Sequence, residues 1–194
     1  MGKLLSFAIP CYNSAEYMEH CINTVLAGGD EVEVIIVDDG STKDNTYEIA
    51  KRYEKEYPDI VKAVHQENGG HGEAVNTGLK HATGRFFKVV DSDDWIDHDM
   101  YQYLYTLMQE HDADVSACTY LLEQEGRPSK IINNTGKLYV FSRKEIIRAL
   151  VKNDLVKNYL WAKLFKRKLF DRLSFPVGRV YEDVAVLYLS LIHI

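Results

Sequence analysis

The sequence predicts an α/β protein with an open, mostly parallel sheet and helices on both of its faces. Short apolar runs alternate with amphipathic helical stretches, as they do when parallel strands are joined by crossover helices. Several runs are apolar almost throughout, which is typical of strands buried on both faces. Small, polar or acidic residues follow three of the runs, at the sheet edge where ligands bind in such proteins.

The first half of the chain is predicted to contain four strands and three helices. In the first helix, five apolar side chains fall on one face at helical spacing, and Gly28 and Gly29 end it. The predicted strands cover residues 4–9, 32–37, 60–65 and 86–90, and the predicted helices cover about 14–27, with Ser14 as the cap, about 44–57, and a stretch bearing Ala74 to Ala82.

The second half is predicted to be less regular. A helix over about 99–111 and a strand over about 115–122 follow the fourth strand. Beyond them we expect a turn at 125–128, a short strand over Leu138–Phe141, and a helix over Ser142–Lys152 that Ser142 caps.

Charge and cysteine content exclude several classes of function. The 194 residues contain 23 Lys and Arg against 29 Asp and Glu, a net charge of −6. Because non-specific nucleic-acid binding depends on Lys and Arg that neutralise phosphates, we expect no nucleic-acid partner. The 3 cysteines lack zinc-ligand spacing and fit a reducing cytoplasm. No apolar stretch approaches the roughly 18 residues that predict a transmembrane helix.

Two acidic clusters are expected at the same edge of the sheet. Asp38 and Asp39 follow one predicted strand, and Asp91 and Asp93 follow another. Like charges about 4 Å apart repel by about 4 kcal/mol at an effective dielectric constant near 20, so a divalent cation would stabilise them. Since Mg²⁺ and Mn²⁺ prefer carboxylate and phosphate oxygens, Asp91 and Asp93 are a candidate clamp for a diphosphate. The alternative is a solvated loop, because Asp is common in turns.

Tyr12 and Asn13 follow the first strand and admit two interpretations. A tyrosine in a strand-end loop can stack on a planar base while Asn13 fixes the loop. It can equally pack against the protein, as most of the 13 tyrosines are expected to do. The spacing alone does not choose between these interpretations.

Together these segments resemble a known family. Phe7–Asn13, Val34–Thr42 and Val89–Trp95 are similar, in order and spacing, to the signature blocks of glycosyltransferase family 2, the inverting enzymes of GT-A fold. Tyr181–Val184 resembles the Glu-Asp element that those enzymes carry after the metal site. Trp161–Arg167 resembles a segment of bacterial members that make surface polysaccharide.

The resemblance implies roles for individual residues. The loop after the first strand would hold the nucleobase, and Asp39 would accept a hydrogen bond from it, typically from uracil N3. Asp93 would be a direct ligand of Mn²⁺ or Mg²⁺, with Asp91 a second ligand or nearer the ribose, and Asp183 would be the catalytic base. The residues so assigned to substrate binding are Pro10, Tyr12, Asn13, Asp39, Gly40, Ser41 and Asp91.

The implied activity is a metal-dependent, inverting transfer of sugar from a nucleotide-diphospho sugar, preferably a UDP-sugar. The acceptor would be a hydroxyl of a glycan or a lipid-linked acceptor in polysaccharide synthesis. Residues 1–188 would be a C-terminally truncated GT-A domain, with the nucleotide-sugar part over about 1–124 and the start of the acceptor side over about 125–188. Residues 189–194 match a translated transposon end used in sequencing libraries, and we expect a non-native tail there. We expect a cytoplasmic protein, peripheral to the inner face of the plasma membrane if a missing C-terminal part attaches it.

The sequence departs from the family pattern in one segment. Val75 stands where many members have an arginine, so a contact to the diphosphate would come from elsewhere. His71 is a candidate for it, and a merely solvated loop histidine is the alternative. Trp161 and Lys163 are expected to pack at the sheet edge rather than to touch the acceptor.

Two other functions remain open. A fragment without the acceptor-binding part would bind nucleotide and metal but transfer nothing. A metal-dependent phosphoryl-transfer or receiver-type domain also places paired aspartates at the ends of parallel strands, although residues 38–41 lack its usual Asp-x-Asp-Gly-Thr spacing. Calorimetry with UDP and Mn²⁺ would separate these functions.

Overall fold

The computed structural model describes residues 2–97, 99–124, 126–132, 137–152, 159–179 and 186. The strands are β1 (Leu5–Cys11), β2 (Val32–Asp38), β3 (Val61–His65), β4 (Phe86–Val89), β5 (Val115–Ala117), β6 (Tyr120–Leu122), β7 (Lys130–Ile132) and β8 (Lys163–Lys166). The helices are α1 (Met18–Leu26), α2 (Thr46–Glu56), α3 (His71–His81), α4 (Met100–Glu110) and α5 (Arg143–Lys152), with short 3₁₀ helices at Gly29–Glu31 and Arg167–Phe170. None of the helices among these residues is long and apolar enough to cross a bilayer.

Six of the strands form one sheet in the order β3-β2-β1-β4-β8-β5. The strands β1 to β4 are parallel, and β8 is antiparallel to both of its neighbours. Because β5 also runs opposite to β8, it points in the same direction as β4. The prediction of a mostly parallel α/β sheet is therefore confirmed. The strands β6 and β7 form a separate antiparallel pair.

Alternate side chains of the central strands enter two cores, one on each face of the sheet. Phe7 and Ile9 of β1 pack with residues of α1, α2 and α4, whereas Ala8 packs with residues of α3. Burial on both faces explains why these strands are apolar at nearly every position. Gly78 lets α3 lie close to β1, because a Cβ at this position would be 2.6 Å from the Cβ of Ala8.

The structure differs from the sequence prediction beyond α4. The strand predicted over 115–122 is two strands, β5 and β6, which belong to different sheets. Leu138–Phe141, predicted as a strand, has no regular secondary structure. The helix predicted after this segment is confirmed as α5, and the Ser142 hydroxyl donates to the Glu145 carboxylate at 2.5 Å.

The strand β8 was not predicted from the sequence. Its apolar residues Leu164 and Phe165 stand between two lysines, and so short a run carries no periodic signal. Lys163 is the first residue of β8, so it lies where that strand begins, between β4 and β5 rather than on an outermost strand. The side chain of Lys163 is buried.

Candidate active site

The loops that follow β1 and β2 are joined by hydrogen bonds centred on Asn13. The side-chain oxygen of Asn13 accepts from the backbone N–H groups of Thr42 and Lys43, at 3.2 and 3.0 Å. The Asn13 N–H donates to Ser41 Oγ at 2.8 Å. Asn13 has a φ of 49°, in the left-handed region that Asn tolerates better than most residues. The structure therefore brings two of the predicted site segments together.

Ser14 joins the first loop to the acidic loop after β4. Its hydroxyl accepts from the Tyr12 N–H at 3.1 Å and from the Ser92 hydroxyl at 2.8 Å. The prediction that the Ser14 side chain caps α1 is wrong. The helix begins only at Met18, and among the described residues no side chain donates or accepts a capping hydrogen bond at its start. The loops after β1, β2 and β4 thus form one connected rim at the carboxyl edge of the sheet.

Asp39 is almost fully buried beneath this rim, with 3% of its surface exposed. Its Oδ1 accepts from Gln66 Nε2 at 2.7 Å and from the Gly69 N–H at 2.9 Å, and its Oδ2 accepts from the Gly70 N–H at 2.8 Å. A carboxylate can accept about four hydrogen bonds, so the three donors found among the described residues leave it capacity for one more. Asp39 therefore fixes the segment between β3 and α3 and retains acceptor capacity.

Gly40 allows the loop after β2 to pass close to the segment that Asp39 holds. Its φ is +72°, and a Cβ here would lie 2.8 Å from the backbone N of Asn68. Next to it, Asp38 is fully buried, contacts His65 Nδ1 at 2.6 Å, and accepts from the Ser41 N–H at 3.2 Å. Gly40 and Ser41 thus form a sharp turn, and contacts on both sides hold it.

Pro10 and Tyr12 differ in their accessibility. Pro10 lies inside β1, where it is buried and paired with Val37. Tyr12 is the first exposed side chain after this strand, with 51% of its surface accessible. Of Pro10 and Tyr12, only Tyr12 offers an exposed ring face to a ligand.

Three carboxylates crowd the loop after β4. Asp93 is exposed, whereas Asp91 and Asp94 are partly buried, and the Asp94 N–H donates to the Asp91 carbonyl at 2.9 Å in a tight turn. Burial, together with the negative charges of Asp91 and Asp93, raises the pKa of Asp94 to about 6. Ionising all three groups together is unfavourable, and a cation placed here would relieve that repulsion.

The acidic loop offers a hard cation oxygen ligands but no complete protein cage. Among the residues that the structure describes, no group of three or more His, Cys, Asp or Glu side chains is arranged to hold a metal ion. This fits a Mg²⁺ or Mn²⁺ bound through one or two carboxylates together with substrate phosphates and water. The predicted catalytic base, Asp183, lies outside the described residues.

Two contacts of the site were not anticipated from the sequence. Gln66 bridges Asp39 and Thr77, whose hydroxyl donates to Gln66 Oε1 at 2.5 Å. The signal for Gln66 is its position directly after β3, at the same edge as the other loops. The second contact joins His71 Nε2 to Asp91 Oδ1 at 3.0 Å. His71 was singled out for a diphosphate, but its pairing with Asp91 has no sequence signal.

The fold and the site define an α/β protein of the GT-A class, with a polar rim at the carboxyl edge of its sheet. Residues 6–174 match the family model described as Glycosyl transferase family 2, and the chain belongs to this family. The resemblance predicted from the signature blocks is therefore confirmed.

Curated relatives include two proteins of Streptococcus pneumoniae serotype 4. The chain is 31% identical to Glycosyltransferase GlyA over 92% of its own length and 27% of GlyA. It is 32% identical to Glycosyltransferase GlyG over 97% of its own length and 65% of GlyG. The chain thus spans less than two thirds of either relative.

Solved structures share the fold at lower identity. S. aureus TarS 1-349 in complex with UDP-GlcNAc superimposes with a TM-score of 0.74 at 24% identity, over 97% of this chain and 53% of the TarS 1-349 chain. The mannosyltransferase PcManGT of Pyrobaculum calidifontis, in complex with GDP-Man and Mn²⁺, gives a TM-score of 0.65 at 22% identity, over 95% of this chain and 50% of PcManGT. At these identities the likeness concerns the fold.

Proposed function

We propose that this chain is the donor-binding part of an inverting, metal-dependent glycosyltransferase of bacterial surface-polysaccharide synthesis. It would move a sugar from a UDP-sugar to a hydroxyl of a glycan or lipid-linked acceptor. The observation that carries the proposal is the joining of three loops, through Asn13 and Ser14, into one rim that holds Asp39 and Asp91. Such a rim at the carboxyl edge of a parallel sheet is where this class of fold binds its ligands.

The nucleotide base is assigned to Tyr12 and Asp39. The exposed Tyr12 ring can stack on a uracil, and the remaining acceptor position of Asp39 can take the uracil N3–H. Because Gln66, Gly69 and Gly70 already hold the carboxylate, its position is set before the base arrives. The UDP-GlcNAc complex of TarS, which shares the fold, supports a uridine nucleotide as donor.

A divalent cation is assigned to Asp93, with Asp91 as a second ligand. When bound, it would neutralise charge on the diphosphate leaving group. His71 orients Asp91 from the start of α3, and Ser92 ties the same loop to Ser14. The Mn²⁺ in the PcManGT complex supports the use of a divalent metal.

The catalytic base is assigned to Asp183, on the family resemblance alone. Asp183 would accept the proton of an acceptor hydroxyl as its oxygen attacks the anomeric carbon from the face opposite the diphosphate. One such displacement forms the new C–O bond, breaks the bond to the diphosphate and inverts the anomeric configuration. Because the chain spans only part of its relatives, a fragment that binds the donor without transferring sugar is a second candidate.

Calorimetry with UDP, with and without Mn²⁺, tests the donor site. We expect Mn²⁺-dependent UDP binding to the chain, and its loss in Asp93→Asn. Asp59→Asn is the matched control, because Asp59 is an exposed aspartate just before β3, at the opposite edge of the sheet. If UDP does not bind, or binds equally well without metal, the proposal is wrong. Binding without any release of UDP from UDP-sugars favours the non-catalytic fragment.

A further inference from the structure

Three aromatic rings form a compact group outside the rim made by the loops after β1, β2 and β4. Tyr159 and Trp161 are stacked, with ring centroids 5.2 Å apart and planes at 12°. Tyr120 meets Trp161 edge-on at 4.7 Å and Tyr159 at 5.8 Å. We call these three residues the aromatic cluster. In the part of the chain that is described, none of them belongs to either hydrophobic core.

The strand directions place the aromatic cluster at the same edge of the sheet as the acidic loop. Tyr120 lies beyond the end of β5, which runs in the same direction as β4. Tyr159 and Trp161 precede β8, which runs the opposite way, so they too lie at the carboxyl edge. The acidic loop of Asp91 to Asp94 follows β4 at this edge, and β4 and β8 are neighbours in the sheet.

Two buried lysines fix the backbone beneath the aromatic cluster. Lys88 of β4 donates its ammonium group to the Trp161 carbonyl and lies 3.5 Å from the Lys163 carbonyl. Lys163 in turn donates to the Tyr159 carbonyl. Burial lowers the pKa of Lys88 from its ordinary value. Burying a lysine is costly unless its ammonium group is hydrogen-bonded. Because both lysines donate to backbone carbonyls, they hold the backbone of residues 159–163 in a defined position.

The aromatic cluster is accessible as well as fixed. Tyr159 is 41% exposed, and Tyr120 and Trp161 are partly exposed. Each ring combines an apolar face with a polar group, the phenol hydroxyl or the indole N–H. Such rings suit a ligand that has both C–H faces and hydroxyl groups. An anionic ligand is disfavoured, because the neighbouring loop carries three carboxylates.

We infer that the aromatic cluster binds a pyranose ring of a neutral acceptor glycan beside the donor site. The inference rests on the proposed function, since it takes the neighbouring rim as the place of the donor. A pyranose has a face of C–H groups that packs on aromatic rings, and hydroxyls that reach Tyr120 or the Trp161 indole. The shared sheet edge would present an acceptor hydroxyl to a donor held by Asp91 and Asp93.

The two tryptophans of the chain, Trp95 and Trp161, provide separate fluorescence reporters. Trp95→Phe leaves Trp161 as the sole tryptophan, and this variant is titrated with chitotetraose, cellotetraose and maltotetraose in the presence of UDP and Mn²⁺. We expect a saturable change of Trp161 emission with at least one of these glycans. Adding Tyr159→Ala should weaken that binding by about tenfold, as loss of a stacked ring commonly does.

Two controls separate binding from structure. Tyr159→Phe keeps the ring and should retain most of the glycan affinity, whereas Tyr103→Ala removes an exposed tyrosine of α4 and should leave the affinity unchanged. Both alanine variants should bind UDP and Mn²⁺ as the parent does.

The inference is wrong if no glycan changes Trp161 emission, or if Tyr159→Ala binds glycan as tightly as Tyr103→Ala. A response to phosphatidylglycerol vesicles in place of glycans would also overturn it and indicate a membrane surface. If calorimetry shows no UDP binding, the proposed donor function is wrong. The glycan titration then still shows whether the aromatic cluster binds a glycan.

Discussion

His71 Nε2 lies 3.0 Å from Asp91 Oδ1, so the first residue of α3 holds the first acid of the loop after β4. The two side chains are 42% and 31% exposed, at a position that ligand and cation can reach. If Asp91 ligates a cation as proposed, this contact would restrict the orientation of its carboxylate, as hydrogen-bond partners of metal ligands commonly do.

We expect His71→Ala to weaken Mn²⁺-dependent UDP binding by about tenfold, the low end of what is seen when a partner of a metal ligand is removed. His111→Ala is the control, since His111 is exposed just beyond α4. Calorimetric titrations of both variants give the comparison. Equal UDP affinities in the two variants would show that His71 does not orient Asp91 for the cation.

Asp94 makes the stability of the metal-free protein depend on pH. The pKa of its carboxyl is raised from 3.8 to about 6 by burial and by the charges of Asp91 and Asp93. Between these two values the folded state binds more protons than the unfolded state, so this contribution to stability falls as pH rises. Above about pH 6 the cost of ionised Asp94 is fully present; below about pH 3.8 it is absent.

Asp94→Asn should therefore stabilise the protein at pH 7.5 in EDTA, by about 1 kcal/mol after allowance for solvent screening at a partly exposed site. The gain over the parent should disappear near pH 3.5. Urea denaturation at the two pH values measures it, with Asp59→Asn as the control. A gain of the same size at both pH values would contradict this account of Asp94.

Gly40 combines a positive φ with a close approach to neighbouring backbone, whereas Gly29 has a positive φ alone. Gly40→Ala meets both a positive φ and a contact of 2.8 Å to the Asn68 backbone, whereas Gly29→Ala meets a φ of +60° with nothing within 4 Å. Strain of this kind costs on the order of 1–3 kcal/mol. We expect Gly40→Ala to lower the free energy of unfolding more than Gly29→Ala does, and it alone to impair UDP binding. Similar losses of stability in the two variants would show that the close approach has no effect.

Asp39→Asn tests the buried carboxylate. An asparagine has a side-chain NH₂ group in place of one carboxylate oxygen. This group must face at least one of the N–H groups of Gln66, Gly69 or Gly70 that now donate to Asp39. An unsatisfied buried donor costs about 1–3 kcal/mol, so the free energy of unfolding should fall by that amount. Asp97→Asn, at an exposed position, should change it little. A stable Asp39→Asn variant would mean that the loop between β3 and α3 is held by other contacts.

Among the strands, those buried on both faces could be predicted most directly from the sequence. The central strands β1, β2 and β4 show as apolar runs because both sides of the sheet are covered. β8 could not be found in this way, since Lys163 is buried with its charge satisfied by a carbonyl group that only the folded chain supplies.

The candidate site was predictable in its residue types but not in its contacts. Asp39 and Asp91 follow strands, and parallel strands end at one edge, so their proximity follows from topology. The bonds of Asn13 to Thr42 and Lys43 join residues about thirty positions apart, and no local pattern indicates such pairs. The same is true of Ser14, whose position before α1 resembles a cap although its hydroxyl accepts from Tyr12 in its own loop and from Ser92 in the loop after β4.

The insertion of β8 between β4 and β5 also affects how the protein can be made. Phe86 of β4 pairs with Lys166, so one side of β4 stays unpaired during translation until the chain has grown past β8. An open strand edge can pair with other chains. Until β8 is in place, β4 therefore offers such an edge to its neighbours.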